Sequence, residues 1–258
     1  MKITCLILAY NEQERIRIAL THAIKWADEV VVVDKGSTDS TCSIAEHMGA
    51  TVKQIPFSRQ GHENIEQMAA CASNDWVWGF TPGEVPTTGL IDAGRGMVSD
   101  NYDMIRVPMY YYSFGLHHEA SPWAGGYQPR LYNRQRVTFT GVAHDPIRAK
   151  HIGRIDRTPD RFVLHQTHAT AQDFMRSHSD YMVNEAAQGE PKETMGRALA
   201  MSAAFDNQFQ GNPELFPHML AWKTYWLGVA LHAWEAANPG IAGAYKARAE
   251  AALCPWRS

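Results

Sequence analysis

The sequence predicts an α/β protein: a mostly parallel sheet flanked by helices, followed by a helical C-terminal extension. Three observations predict it. Short apolar runs alternate with amphipathic helical stretches through the first 80 residues. One run, Glu29 to Val33, is nearly pure valine, as expected of a strand buried on both faces of a parallel sheet. From Thr170 onward the periodicity is helical throughout.

The elements follow in order. Ile3 to Ala9 reads as a first strand, and Asn11 to Lys25 as a helix with Ile16, Ala19, Leu20, Ala23 and Ile24 on one face. Glu29 to Val33 is the second strand. Ser37, Thr38, Asp39 and Ser40 offer caps for a helix running through Met48 and closed by Gly49. Thr51 to Ile55 is a third strand, Asn64 to Ala72 a third helix and Trp76 to Phe80 a fourth strand, stopped by Pro82 and Gly83. Such alternation with short connections gives right-handed βαβ units. Met104 to Met109 reads as a strand, and Tyr110 to Gly126 as a long loop dense in aromatics, His and Gly. Tyr127 to Asn133 and Val137 to Thr140 read as a hairpin around Arg134-Gln135. Helices are expected near 170–188, 192–209, 213–237 and 240–253, punctuated by Pro191, Pro213 and Pro239. Trp222, Trp226, Leu227, Ala230 and Trp234 fall at helical spacing, as core or interface residues do.

Composition narrows the function classes. Hydrophobic residues make up 45% of the 258 and charged residues 20%, an ordinary globular mixture, and the net charge of -3 gives no global basic field for nucleic acid. Cys5, Cys42, Cys71 and Cys254 have neither CxxC nor zinc spacing and suit a reducing compartment. The N-terminal apolar run is too short for a signal peptide, and no segment approaches membrane-spanning length. The expectation is a cytoplasmic protein with no membrane span. No oligomeric state is specified.

Chemistry is expected at the carboxyl ends of the strands. The first ends in Tyr10-Asn11-Glu12 and the second in Asp34, followed by Lys35-Gly36-Ser37. Neither GxGxxG nor GxxxxGK[ST] occurs, which argues against a dinucleotide enzyme and a P-loop NTPase. Carboxylates at adjacent strand ends suit hydrogen bonds to a sugar hydroxyl or a base N–H, and Tyr10 could stack on that base. Local capping and pairing by Glu12 and Asp34 is the alternative.

Leu8 to Glu12 (LAYNE), Trp26 to Thr41 (WADEVVVVDKGSTDST), His47 to Ala50 (HMGA) and Ala72 to Phe80 (ASNDWVWGF) resemble glycosyltransferase family 2. Tyr127 to Tyr132 and Phe139 to Asp145 are similar to segments of its lipopolysaccharide-core glucosyltransferase branch. The resemblance covers roughly residues 1–170. It implies a Rossmann-like GT-A fold and inverting transfer of a sugar from a nucleotide-diphosphate donor, a UDP-sugar first, to a glycan acceptor ahead of a nucleic acid or protein. Residues 1–100 would be the nucleotide-sugar-binding half, 101–168 the acceptor-side half and 169–258 the helical extension. Ala9, Tyr10, Glu12, Asp34 and Gly36 map onto the nucleoside site, and Arg59 and Arg130 are candidates for the diphosphate.

The family ends its fourth strand in a DXD-type motif that holds Mg²⁺ or Mn²⁺. Here the two aspartate positions are Thr81 and Gly83, and Glu84 alone remains. Hard cations take several oxygen ligands, so no cofactor is assigned and a divalent ion stays open. Three explanations compete. Basic side chains could replace the metal, drawn from Arg59, Arg130, Arg134, Arg148, Lys150, Arg154, Arg157 and Arg161. Glu84 could join His144 or Asp145 in an unusual metal site. Or the protein binds a nucleotide sugar without transferring it. A glycosyltransferase acting on a nucleobase or protein side chain is a further alternative. Asp145 is the leading general base, with Glu84 and Glu119 behind it. His117-His118-Glu119 is a weaker metal candidate, His165 and His168 read as packing residues, and Tyr110 to Tyr112 with Trp123 as an acceptor wall.

Overall fold

Seven residues, Ile3–Ala9, form the central strand β1, and all but Leu8 are buried. In the computed structural model, which describes residues 1–58, 61–119, 121, 125–142, 145–168, 170–204 and 213–244, β1 is followed by α1 (Ile16–Ala23), β2 (Glu29–Asp34), α2 (Thr41–His47) and β3 (Thr51–Gln54). A 3₁₀ turn at Gly61–Asn64 leads into α3 (Ile65–Ala70), β4 (Trp76–Phe80), the short β5 (Glu84–Pro86) and α4 (Thr88–Met97). Then come β6 (Met104–Ser113), β7 (Tyr127–Asn133), β8 (Thr138–Val142), β9 (Asp145–Arg148), β10 (Ile152–Arg154) and β11 (Val163–His168). The last elements are α5 (Ala171–Ala186), α6 (Pro191–Ala204) and α7 (Phe216–Ala237).

Among the described residues the main sheet runs β3-β2-β1-β4-β7-β6-β11-β5, with β10 paired to β6. β3, β2, β1 and β4 are mutually parallel, with Ala9 opposite Asp34 and Ile7 opposite Phe80. This is the parallel, helix-flanked half that the resemblance implies. The order runs from β1 outward through β2 to β3 on one side and to β4 on the other, so the topological switch point lies between β1 and β4.

Alternation along β1 and β4 sends side chains to opposite faces. Ile3, Cys5, Ile7, Trp76, Trp78 and Phe80 pack with α1 and α4 on one face, whereas Leu6 and Val77 pack with α3 on the other. Trp78 is fully buried, with its ring centroid 5.2 Å from that of Trp26 and 5.7 Å from that of Phe80. Burying an aromatic of this size contributes about 2–3 kcal/mol. Gly94 of α4 makes room for it, since a Cβ there would lie 2.6 Å from the Trp78 ring.

The expected hairpin around Arg134-Gln135 does not form. β7 pairs antiparallel with β4 and β6, while β8 pairs with β9. The turn is present, but β7 completes the main sheet with strands far away in sequence. β6 continues through Tyr110–Tyr112, which were expected in a loop, and α4 lies where no helix was expected because three glycines dilute its pattern. The first helix begins at Ile16 rather than Asn11, because Asn11 adopts a left-handed backbone (φ 54).

Contacts divide the chain into two units, Met1–Tyr112 with Gly125–Thr167 and Ser113–Ala124 with His168–Ser258. The second is helical. Phe174, Met182, Ala198, Trp226, Val229 and Ala233 form its core, Arg197 pairs with Glu185 at 3.0 Å, and Ser121 Oγ lies 2.7 Å from His218 Nδ1. Trp226 and Ala230 are buried as the spacing suggested, whereas Leu227 is exposed. No helix among the described residues is long and apolar enough to cross a membrane.

Candidate active site

The loops after β1 and β2 are laced together by side chains. Asn11 N–H donates to Ser37 Oγ (2.8 Å) and Asn11 Oδ1 accepts from Thr38 N–H (2.8 Å). Gln13 N–H donates to Asp39 (3.1 Å), Glu12 N–H to Thr41 Oγ1 (2.7 Å), and Gln13 Oε1 accepts from Ser40 N–H (3.2 Å). Lys35 N–H bonds the Ala9 carbonyl at 3.0 Å, so both strand ends are tied at their last register pair. These interlocking bonds make one surface of two loops.

Asp34 is fully buried at the end of β2. Its carboxylate accepts from Gly36 N–H (2.9 Å), Ser37 N–H (3.0 Å) and Ser37 Oγ–H (2.5 Å). That closes a turn in which Gly36 takes φ +88, a conformation costly for a residue with a Cβ. Glu12 holds Arg15 in two bonds, Oε2 to Nε at 2.7 Å and Oε1 to Nη2 at 2.6 Å. Both carboxylates therefore have the local partners that the alternative reading expected. Beside them Tyr10, 40% exposed, tilts against Phe57 with centroids 4.8 Å apart. Lys35 Nζ lies 5.5 Å from the Phe57 centroid and donates to the Ser58 carbonyl at 2.8 Å. Burial holds the Lys35 ammonium below its ordinary pKa, with Glu63 opposing. Phe57 and Lys35 were not singled out in the sequence; an aromatic just past the third strand was the available signal.

At the end of β4 the chain turns through Thr81 to Gly83, and Glu84 N–H bonds the Thr81 carbonyl at 3.0 Å. The Glu84 side chain is inaccessible. Its Oε2 accepts from Thr81 N–H at 2.9 Å, and its Oε1 is paired with the Arg130 guanidinium. His165 on β11 faces Glu84 across the β5–β11 pair, with Nδ1 3.1 Å from Oε1, though not aligned as a hydrogen bond. Burial pushes the His165 imidazole below its ordinary pKa; Glu84 opposes the shift, while Arg130 and Arg15 add to it. Gly83 is pressed between β11 and α1, since a Cβ there would stand 2.8 Å from the Gln166 carbonyl oxygen and 3.3 Å from Arg15 Nη1. Arg130 directly precedes Leu131, the first residue of β7 in register with β4, opposite Trp78. Arg15 thus reaches the turn at Gly83, and Arg130 and His165 face Glu84 beside it. Arg15 and His165 escaped the sequence reading as site residues because they lie far apart along the chain. The i,i+3 spacing of Glu12 and Arg15 was the only local sign.

The remaining expected residues have these partners. Asp145 opens β9 and holds Arg148 at 2.7 Å (Nε) and 2.6 Å (Nη2); its side chain is 46% exposed. Arg134 donates to the Asn74 carbonyl, Arg154 pairs with Asp156 and covers the Tyr127 ring, and Arg157 covers the Tyr110 ring. These cations serve local structure. His117 Nε2 lies 3.5 Å from Glu119 Oε1. Arg59, Trp123 and His144 lie outside the described residues. A surface depression of about 580 Å³ lies along α1 and α2 beside Gln13, Arg17, Ser40 and His47, and Glu84 does not line it.

The donor set at the end of β4 does not fit a divalent ion. Glu84 brings a single carboxylate, both of whose oxygens are already bonded, one of them by the Arg130 guanidinium, and Arg15 Nη1 approaches the neighbouring Gly83. Among the described residues no group of three or more His, Cys, Asp or Glu is arranged to hold a metal.

The family model described as Glycosyl transferase family 2 matches residues 4–146. An uncharacterized glycosyltransferase of Rickettsia bellii is 30% identical over 156 residues, covering 57% of this chain and 52% of that protein. Another from Rickettsia typhi is 38% identical over 156 residues, with the same coverage of each. The chain spans about half the length of the curated relatives it matches. Among solved structures, a glucosyl-3-phosphoglycerate synthase from Mycobacterium tuberculosis, in complex with Mn²⁺, UDP and glucosyl-3-phosphoglycerate, is 16% identical with a TM-score of 0.47, covering 70% of this chain and 77% of that one. S. aureus TarS is 17% identical with a TM-score of 0.47, covering 89% and 49%. Because the family match takes in more than half of the sequence, including the strand-end loops and Glu84, the chain belongs to glycosyl transferase family 2.

Proposed function

We propose that the chain moves a sugar from a nucleoside-diphosphate sugar to an acceptor hydroxyl with inversion. The observation that carries this reading is the family match over the residues that build the laced carboxyl edge of β1, β2 and β4. Tyr10, with Phe57 behind it, offers an aromatic face to a base, while Ala9, Glu12, Asp34 and Gly36 shape the edge against which the nucleoside lies. The acceptor oxygen attacks the anomeric carbon from the face opposite the diphosphate. The bond from that carbon to the diphosphate oxygen breaks, its electron pair leaves with the nucleoside diphosphate, and the hydroxyl proton passes to a base.

Asp145 is that base in this reading, because its carboxylate is half exposed whereas the Glu84 carboxylate is sealed between Arg130 and Thr81. Glu84 is then a positioning residue. A UDP-sugar is the first donor to test and a glycan the first acceptor class.

The experiment is incubation of the full chain with a panel of nucleoside-diphosphate sugars, with chromatographic detection of released nucleoside diphosphate. Release above the enzyme-free rate is expected for at least one donor. Binding without release under every condition would replace the transferase by a silent nucleotide-sugar binder, the reading that the loss of both aspartates would favour.

A further inference from the structure

We infer that the donor's diphosphate is held without a divalent ion, by an anion site made of the Arg130 and Arg15 guanidinium groups at the carboxyl end of β4. The inference rests on the donor being a nucleoside-diphosphate sugar, as proposed above.

Four observations carry it. Where the resemblance expects two aspartates the sequence has Thr81 and Gly83, and a Cβ at Gly83 would stand 2.8 Å from the Gln166 carbonyl oxygen. The remaining carboxylate, Glu84, has both oxygens bonded and faces Arg130. Arg130 is aimed by that ion pair, yet its Nε–H is buried without a hydrogen-bond acceptor among the described residues. The Arg130 side chain is 26% exposed, and it is through that open face that the guanidinium meets an anionic oxygen. Arg15 is fixed by Glu12 through Nε and Nη2, which turns Nη1 toward the Gly83 backbone. Each guanidinium is thus oriented from behind by its own glutamate, with N–H donors left over. A planar fork of this kind matches phosphate oxygens and carries a permanent charge.

His165 completes the wall. It packs edge-on against Tyr111, with centroids 5.0 Å apart, and its Nδ1 is buried without a hydrogen-bond partner among the described residues. Burial keeps it largely neutral near pH 7, so it shapes the site while the two arginines supply the charge. In this arrangement fixed guanidinium charge stabilises the diphosphate as it departs.

The test is titration calorimetry of the full chain with uridine, guanosine and cytidine diphosphates, each in EDTA and in Mn²⁺. Wild type is compared with Arg130→Gln, Arg130→Lys and Arg15→Gln, and circular dichroism checks the fold. Arg15 lies partly at the surface, and Arg130→Lys keeps a charge beside Glu84, so at least these two variants should fold. Expected is equal affinity in EDTA and Mn²⁺, a loss of about ten- to a hundredfold in Arg130→Gln and Arg15→Gln, and a smaller loss in Arg130→Lys. Binding that requires Mn²⁺ overturns the inference and leaves the transferase reading standing. Metal-free binding unaffected by any of the variants also overturns it. If no nucleotide binds in either medium, the nucleotide-sugar reading itself fails and the inference with it.

Discussion

Arg130 of β7 and Glu84 of β5 form an ion pair across 46 residues of sequence, and the glutamate side chain is closed to solvent. Removing one member of a buried pair leaves the other charge uncompensated. Arg130→Ala is therefore expected to destabilise the fold by about 3 kcal/mol, read as a lower urea midpoint. The double variant Arg130→Met, Glu84→Leu should recover most of that loss. A single variant as stable as wild type would contradict the burial described for Glu84.

His165 makes stability pH-dependent. Its folded pKa lies below the unfolded value of 6.5, so below that value the unfolded chain binds more protons than the folded one. Its contribution is complete above 6.5, is lost as pH falls from there to the folded pKa, and then levels off. His178 and His218, also lowered by burial, act in the same direction. Urea midpoints measured from pH 7.5 to 5 should fall, and His165→Gln should flatten the fall. An unchanged slope in the variant would show that His165 titrates normally.

Gly94 and Gly96 of α4 separate packing from propensity. A Cβ at Gly94 would strike the Trp78 ring, whereas at Gly96 nothing lies within 4 Å. Gly94→Ala should cost about 1–3 kcal/mol by overpacking, while Gly96→Ala should stabilise by up to about 1 kcal/mol by restricting the unfolded chain. Thermal unfolding of both variants checks the contrast in sign.

Asp34 separates turn-building from nucleotide affinity. Asp34→Ala removes the acceptor of the Gly36 and Ser37 amides and so loosens the edge on which the nucleoside is proposed to lie. Calorimetric affinity for the best nucleotide of the panel should fall at least about tenfold, the loss of one charge-assisted hydrogen bond. Unchanged affinity would remove Asp34 from the site.

How much of this was legible in the sequence depends on how local each signal is. β1 and β4 match their expected bounds because each is an apolar run with a polar or turn residue at both ends. The β7 pairing was not legible, since Leu131 meets Trp78 only through tertiary contact. The resemblance drew attention to Gly83 as a position where an aspartate is expected, but not as the point where β11 and Arg15 close on the turn. The bond of Asp34 to its own turn was foreseen only as the alternative to ligand binding. Arg130 was expected at the diphosphate together with Arg59, but its ion pair with the buried Glu84 was not legible.

The most direct measurement of the central claim is turnover with Asp145 intact and replaced. The full chain should release nucleoside diphosphate from one sugar nucleotide of the panel, and Asp145→Asn should bind that donor as tightly while releasing it at least about a hundredfold more slowly. An Asp145→Asn variant that turns over at the wild-type rate would contradict the assignment of the base. A wild-type chain that neither binds nor cleaves any nucleotide sugar would contradict the transferase itself.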